Sequence, residues 1–363
     1  MSTSHSTPTK RVKFAKPDSF RSVLKERVDH YFESNQINSS DDLRLYSKVL
    51  ILSVSIALSY FVLVFTDAPI WGKVIAATTF GLSGAGIGFN VMHDAGHNAM
   101  SSKRWVNQLF FYSLDLLGGS SYFWNIKHNQ LHHTYANIDG YDDDIDVGAL
   151  MRLSPKQKHC SFHRFQHFYI WPLYGLIVPK WQIVDDFVTW KTGKISQQTV
   201  PRPKGKDAIA LILGKVWFFG VYLIFPMFIY PVAWVIAFYL LASWVQGFAL
   251  AVTFQLAHCL EEAHFPDVDE VSDVDWARHQ VLTTVDFAPT NKLVTWYIGG
   301  LNYQVIHHLF PRISHVHYPK LAKIIDETCA EFGMEYKVHA SVWDGLKSHF
   351  RHLKKLGTTP VLS

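Results

Sequence analysis

The stretch VIAATTFGLSGAGIGFNVMHDAGH, residues 74–97, runs nineteen residues without a charge and then delivers His93, Asp94 and His97. A bilayer core about 30 Å thick is crossed by roughly 20 apolar residues in a helix, so residues 74–92 read as one crossing with a polar cluster at its end. Three more runs repeat the pattern. Residues 49–66 carry no charge, residues 231–256 stop just before His258, and residues 216–230 extend back to Ile209 if Lys215 is buried in the bundle or snorkels. Buried helices of soluble proteins seldom hold such long apolar runs. The expected architecture is an all-α integral membrane protein, with four transmembrane helices in two hairpins, interfacial helices and a cytoplasmic histidine-rich cap.

Composition agrees. Of 363 residues 48% are hydrophobic and 18% charged, against about 25% charged in a typical soluble domain. The net charge of +4 comes with no basic patch interleaved with aromatics, so nucleic acid is not an expected partner. Cys160, Cys259 and Cys329 lie too far apart for a disulfide framework or a thiolate metal site. Nine basic residues precede the first crossing, from Lys10 and Arg11 to Arg44 and Lys48, whereas the tips of the hairpins offer only Lys73. The positive-inside rule then places both termini in the cytoplasm. No cleaved-signal pattern opens the chain, so the first crossing is expected to serve as the insertion signal. Residues 105–124, with Asp115 and Gly118-Gly119, and residues 168–179, with Pro172, read as helices in the interface. Gly81, Gly84 and Gly88 line one face of the second crossing and read as a close helix contact.

Histidine carries the functional signal. There are twenty, and three clusters stand out: HDAGH (His93, His97), KHNQLHH (His128, His132, His133) and QVIHH (Gln304, His307, His308). The i, i+4 spacings stack two imidazoles on one helix face; His133 points about 100° away from His132. The first two clusters follow crossing two, and His258 and the third follow crossing four. An even number of crossings separates them, so all eight rings meet one membrane face, where polar clusters are functional by default. A second stripe, His159, His163 and His167, falls on an interfacial segment and reads as an amphipathic polar face. The acidic run YDDDID, residues 141–146, reads as a solvated loop, with cation or headgroup binding as the alternative.

Imidazole suits zinc, copper, iron or nickel. Eight nitrogen donors exceed the capacity of a single ion, so two are implied. The H-E-x-x-H of zinc proteases is absent, and soluble di-iron bundles rely on Glu-x-x-His; a nitrogen-rich di-iron centre fits better. Such a centre can attack unactivated C–H bonds with oxygen. Asp94, Asn125, Asn129, Asp286 and Asn302 are the candidates for orienting the imidazoles. The alternatives are a lipid hydroxylase or alkane monooxygenase on the same scaffold, and a non-catalytic bis-histidine haem carrier.

HDAGH, WNIKHNQLHH and GGLNYQVIHHLFP resemble the three histidine boxes of membrane fatty acid desaturases. The resemblance runs from about Leu45 to Gly357 and includes RFQHFYIWPLYG and FQLAHCLEE. Glutamine opening the third box is similar to the front-end subgroup, which desaturates between an existing double bond and the carboxyl end. The stretch beginning LFPRISHVHYPK most resembles cyanobacterial-type acyl-lipid Δ6 (linoleoyl) desaturases. The resemblance implies two iron ions held by His93, His97, His128, His132, His133, His307 and His308, with His258 as the extra ligand. Gln304 stands where other members have a ligating histidine. It also implies O2 as co-substrate, a fatty acyl lipid or acyl-CoA as substrate, and residence in a bacterial inner membrane. The expected division is a polar cytoplasmic segment 1–44, a desaturase domain 45–357 and a tail 358–363. No His-Pro-Gly-Gly haem motif of a fused cytochrome b5 occurs, so electrons are expected from ferredoxin or free cytochrome b5. Lys320, Lys323, Lys347, Arg351, Lys354 and Lys355 form a candidate docking surface for that carrier.

Overall fold

The computed structural model describes residues 12–359; Lys10, Arg11 and residues 360–363 of the expected tail lie outside them. Helix α1 (Ser19–Asn35) starts where the Asp18 side chain accepts the Phe20 N–H at 2.8 Å. Asp42 caps α2 (Leu43–Phe65) in the same way through Arg44 N–H. Helix α3 (Ile70–Gly96) follows after a short turn, so α2 and α3 form the first membrane hairpin. Next come the interfacial helix α4 (Arg104–Phe111) and α5 (residues 121–135), then α6 (Gln166–Tyr174) and α7 (residues 177–192). The second hairpin is α8 (Lys206–Met227) and α9 (Val232–His258). The cap is built from α10 (Trp276–Thr283), α11 (Gln304–Leu309), α12 (Tyr318–Glu331) and α13 (Val342–Thr358), with a single short turn of helix at Lys292–Tyr297 between the first two.

The expected four crossings are all present, and each is a little longer than its uncharged run. The second reaches Gly96, which places His93 on the membrane helix itself. The third starts at Lys206, because Lys215 is buried rather than snorkelling. Its ammonium pairs with Asp186 at 2.7 Å and donates to the carbonyls of Gly118 and Gln182 at 2.6 and 2.9 Å. A buried charge is tolerated at such depth only when paired and fully hydrogen-bonded. The two interfacial stretches break before spanning length: α4 gives way to a turn in which Gly118 takes φ +90°, and α6 ends at Tyr174.

The small residues of α3 do bring helices together. A Cβ at Gly81 would lie 2.3 Å from the Ala242 carbonyl oxygen of α9, and one at Gly84 would meet the Gln246 side chain at 3.0 Å. On the cap side, α1, α10, α11 and α12 share a core of Phe20, Leu24, Val28, Val305, Ile306, Leu321 and Ile325. Each such buried side chain stabilises by roughly 1.5–3 kcal/mol. That core holds α11 by its Val305 and Ile306 face, leaving Gln304, His307 and His308 for the site. Strand β1 (Lys194–Ile195) pairs antiparallel with β2 (Gln198–Thr199). Strands β3 (Asp286–Phe287) and β4 (Val338–His339) pair in parallel, Asp286 opposite Val338, and tie the approach to α11 to the segment after α12.

Candidate metal centre

The eight histidines converge. One ring nitrogen from each of His93, His97, His128 and His307 lies within 4.8 Å of the others, and so do nitrogens of His132, His258 and His308. His133 stands between the two groups, its ring centre 4.6 Å from His97, 4.6 Å from His307 and 4.4 Å from His308. All eight rings are buried.

Local backbone makes this possible. Residues 88–92 and 125–132 wind as π-helix, wider than the α-helix that the i, i+4 spacing predicts. The wider turn brings both His132 and His133 beside His128: centroids lie 5.2 and 4.7 Å away, and His128 Nε2 is 3.2 Å from His133 Nε2. His93 Nε2 is also 3.2 Å from His128 Nε2.

The donor atoms fit metal ions. Two neutral imidazoles facing Nε2 to Nε2 share one hydrogen bond at most, yet His128 Nε2 faces two others. Among the described residues, Nε2 of His97, His307 and His308 are buried with no hydrogen-bond partner. Unpaired buried polar atoms are costly in a protein without ligand and are what a cation would satisfy. Burial pushes His128, His133, His307 and His308 well below the ordinary imidazole pKa, so they stand neutral with lone pairs available. The donors are almost all nitrogen; Asp144 adds a carboxylate near His128 and His132.

The sequence model of the fatty acid desaturase family matches residues 68–340. This chain belongs to that family. The desaturase is 38% identical to the sn-1 linoleoyl-lipid 6-desaturase of Arthrospira platensis, over 97% of this chain and 96% of the relative. It is 35% identical to the protein of the same name from Synechocystis sp., over 96% and 98%, and 33% identical to the acyl-lipid (8-3)-desaturase of Physcomitrium patens, over 95% and 73%. The chain is therefore an oxidoreductase of lipid metabolism. Its family uses a di-iron centre and oxygen, which the two histidine groups could hold.

The groups that orient the rings differ from those expected. His132 Nδ1 donates to both carboxylate oxygens of Asp142 at 3.1 Å, His308 Nδ1 to Gln280 Oε1 at 2.8 Å, and His307 Nδ1 lies 3.2 Å from the Tyr318 hydroxyl. Asp142 is the correction to the acidic-loop reading: fully buried, it also accepts the backbone N–H groups of Asn137 and Asp144 at 2.9 and 3.0 Å. Its neighbours Asp143 and Asp144 pair with Lys127 at 2.9 and 3.1 Å. None of the five expected residues is bonded to one of the eight rings. Asp94 accepts from His315 Nδ1 at 2.9 Å, and His315 Nε2 meets the Lys48 ammonium at 2.8 Å. Asn129 donates to Asn125 and to the Gly96 carbonyl at 2.8 and 2.9 Å, tying the second cluster to the backbone of the first. Asn302 reaches Thr295 Oγ1 at 3.0 Å.

Asp286 holds α11 in place, accepting the Val305 N–H at 2.9 Å and the Tyr336 hydroxyl. Burial outweighs these bonds and lifts its carboxyl to about 7. An aspartyl group in the unfolded chain titrates near 3.8, so between these limits the folded state retains a proton the unfolded state has lost. Stability must therefore fall as pH rises through that window. The Tm of the detergent-solubilised protein is expected to drop between about pH 4 and pH 7, and Asp286→Asn should flatten that slope. An unchanged slope would contradict this assignment.

The stripe His159, His163, His167 does not exist as a face. Residues 161–165 form a tight 3₁₀ turn. His159 and His163 are bonded to the carbonyls of Gly357 and Ala149 at 2.8 and 2.9 Å, and His167 packs on Phe350. The His159 and His167 rings fasten α13 to the rest of the chain, whereas His163 ties Ala149 to Cys160.

Proposed function

We propose that this desaturase introduces a cis double bond at the Δ6 position of a glycerolipid-bound linoleoyl chain. Two irons would be held by His93, His97, His128 and His307 on one side and by His132, His258 and His308 on the other, with His133 between them. The observation that carries the reading is the convergence of these buried nitrogens from four separate segments. The Δ6 position rests on the two cyanobacterial relatives, which span nearly the whole chain.

When bound, the irons would supply oxygen chemistry: the two hydrogens removed from adjacent methylenes, together with O2, two electrons and two protons, would become two waters, leaving the double bond. The chain's own part is positioning and dryness. Asp142, Gln280 and Tyr318 fix which nitrogen of His132, His308 and His307 faces inward. Asp286, Asn129 and Asn302 fix the backbone, where an error of about 1 Å can cost on the order of a hundredfold. Gln304 Nε2 lies 3.0 Å from His258 Nε2, and its Oε1 has no partner among the described residues. Amide N and O are interchangeable by a flip, so the oxygen can reach the ion that His258 would hold.

The site would face the cytoplasm of a bacterial inner membrane, as the basic N-terminal segment indicates. Residues 45–357 would act as one domain, since α13 is fastened by His159 and by Arg152, which donates to the Leu356 carbonyl at 2.7 Å. Electrons would come from ferredoxin or free cytochrome b5 at the basic surface. There Arg351 bonds Glu261 at 2.5 Å and Lys323 pairs with Glu327 at 3.5 Å, while Lys320, Lys347, Lys354 and Lys355 make no ion pair among the described residues.

Expression in a host supplied with linoleate, followed by fatty acid profiling, tests the function. γ-Linolenate is the expected product. A new double bond elsewhere would refute the position, and a hydroxylated chain would refute the reaction.

A further inference from the structure

Just past the end of α5 the backbone turns through Asn137, which is buried and has φ +60°. Glycine, asparagine and aspartate tolerate that left-handed conformation best. The turn folds the chain back on itself. The Asn137 N–H is donated to the Asp142 carboxylate at 2.9 Å, and the Asp142 N–H to the Ile138 carbonyl at 3.0 Å. Asp142 in turn orients His132. The backbone of Asn137 therefore supports one ring of the group His132, His258 and His308.

Its side chain supports the other two. The amide Nδ2 lies 3.0 Å from the His258 carbonyl, 3.1 Å from that of His264 and 3.3 Å from that of Thr283, its two hydrogens shared among these acceptors. Helix α9 ends at His258 and α10 at Thr283, and the last carbonyls of a helix have no partner within it. One amide thus joins the C-terminal ends of two helices. The first carries His258 itself. The second carries Gln280, which accepts from His308 Nδ1 at 2.8 Å, and the Thr284 hydroxyl donates back to the Gln280 carbonyl at 2.6 Å. Carbonyls can only accept, so the amide nitrogen rather than its oxygen must face them. None of these four bonds reaches His93, His97, His128 or His307. The supports of that group lie elsewhere, in Tyr318 at His307 and in Asn129 at the Gly96 carbonyl.

We infer that Asn137 is the positioning residue of the ion held by His132, His258 and His308. Its side-chain amide, and not only the turn it occupies, sets the spacing of the three segments that carry those rings. The inference rests on the two-ion reading above and deepens it.

The test compares Asn137→Gly and Asn137→Asp in the purified, detergent-solubilised enzyme. Glycine keeps the left-handed turn and the N–H to Asp142 but loses the amide. Aspartate keeps the turn and the size but sets an oxygen against three carbonyls. Both variants are expected to hold one iron ion per chain where the wild type holds two. In chelator titration the affinity for the lost ion should fall about 10–100-fold, and turnover with it. The ion that remains should give the EPR signal of an isolated high-spin ferric ion, which a coupled pair does not show. Double variants identify the emptied side. Asn137→Gly combined with His258→Ala should keep the same single ion, whereas combined with His97→Ala it should keep none. Full iron in Asn137→Gly would show that the turn alone suffices and would overturn the inference. Equal loss of both ions, or of folded protein, in both single variants would mark a merely structural residue and overturn it as well. A wild type that binds fewer than two irons refutes the two-ion reading instead.

Discussion

His133→Ala is expected to abolish desaturation and to leave the purified protein unable to hold a full pair of irons. The ring is packed against members of both groups: Nε2 lies 3.2 Å from His128 Nε2, and the ring centre is 4.4 Å from His308. Losing a ligand also leaves a buried hole, so metal analysis and Tm should be read beside activity. His163→Ala is the matched control, since it too removes a buried imidazole from a histidine-rich stretch. Its nitrogens bond only backbone, Ala149 O at 2.9 Å and Cys160 N–H at 3.1 Å. That variant should keep its iron and its product while losing stability by about 1–2 kcal/mol, the usual worth of lost hydrogen bonds. Full iron occupancy and turnover in His133→Ala would overturn the shared-site reading.

The contrast between these two histidines shows what the sequence could and could not reveal. The crossings were legible because uncharged runs of membrane length have one structural solution. The parity of crossings then placed His93, His128, His258 and His307 together without knowledge of any contact. Two things were not legible. One was the π-helical winding at 88–92 and 125–132, because side-chain spacing constrains an α-helix and a π-helix almost equally over eight residues. The other was the identity of the orienting partners. Gln280 and Tyr318 carry no motif, and they reach the rings only through the packing of α10 and α12 against α11. Proximity in sequence favoured Asp94, Asn125, Asn129, Asp286 and Asn302, and those residues instead bond backbone, one another, or side chains outside the eight rings, namely His315, Tyr336 and Thr295. Lys215 was readable in outline, since a lysine in an apolar run must be paired or reach water, but its partner Asp186 lies on a different helix.

Asp142, Asp143 and Asp144, three of the four aspartates of YDDDID, should separate sharply under mutation, although the sequence presents them as one acidic patch. Asp142 is buried and takes the Nδ1–H of His132 between its two oxygens. Burial alone would raise its pKa, but the His132 ring and the Asn137 N–H outweigh it and hold the carboxyl below the usual carboxylate range. It is therefore charged across the range of assay, and the charge keeps the His132 lone pair aimed away from it, toward His258 and His308. Removing a group that orients a metal-ligating histidine typically costs about 10–100-fold in affinity or activity. Asp142→Ala is expected at the upper end, because the loop also loses the acceptor for Asn137 and Asp144. Asp142→Asn retains one acceptor oxygen and should lie at the lower end. Asp143 and Asp144 face Lys127 at a partly exposed position, where ion pairs contribute about 0–1 kcal/mol. Their double replacement by asparagine should lower turnover by no more than a few fold. Iron content titrated against a chelator, measured beside turnover for all three variants, distinguishes orientation from surface charge: the first predicts that Asp142→Ala alone gives up its metal early, the second that loss follows the number of carboxylates removed.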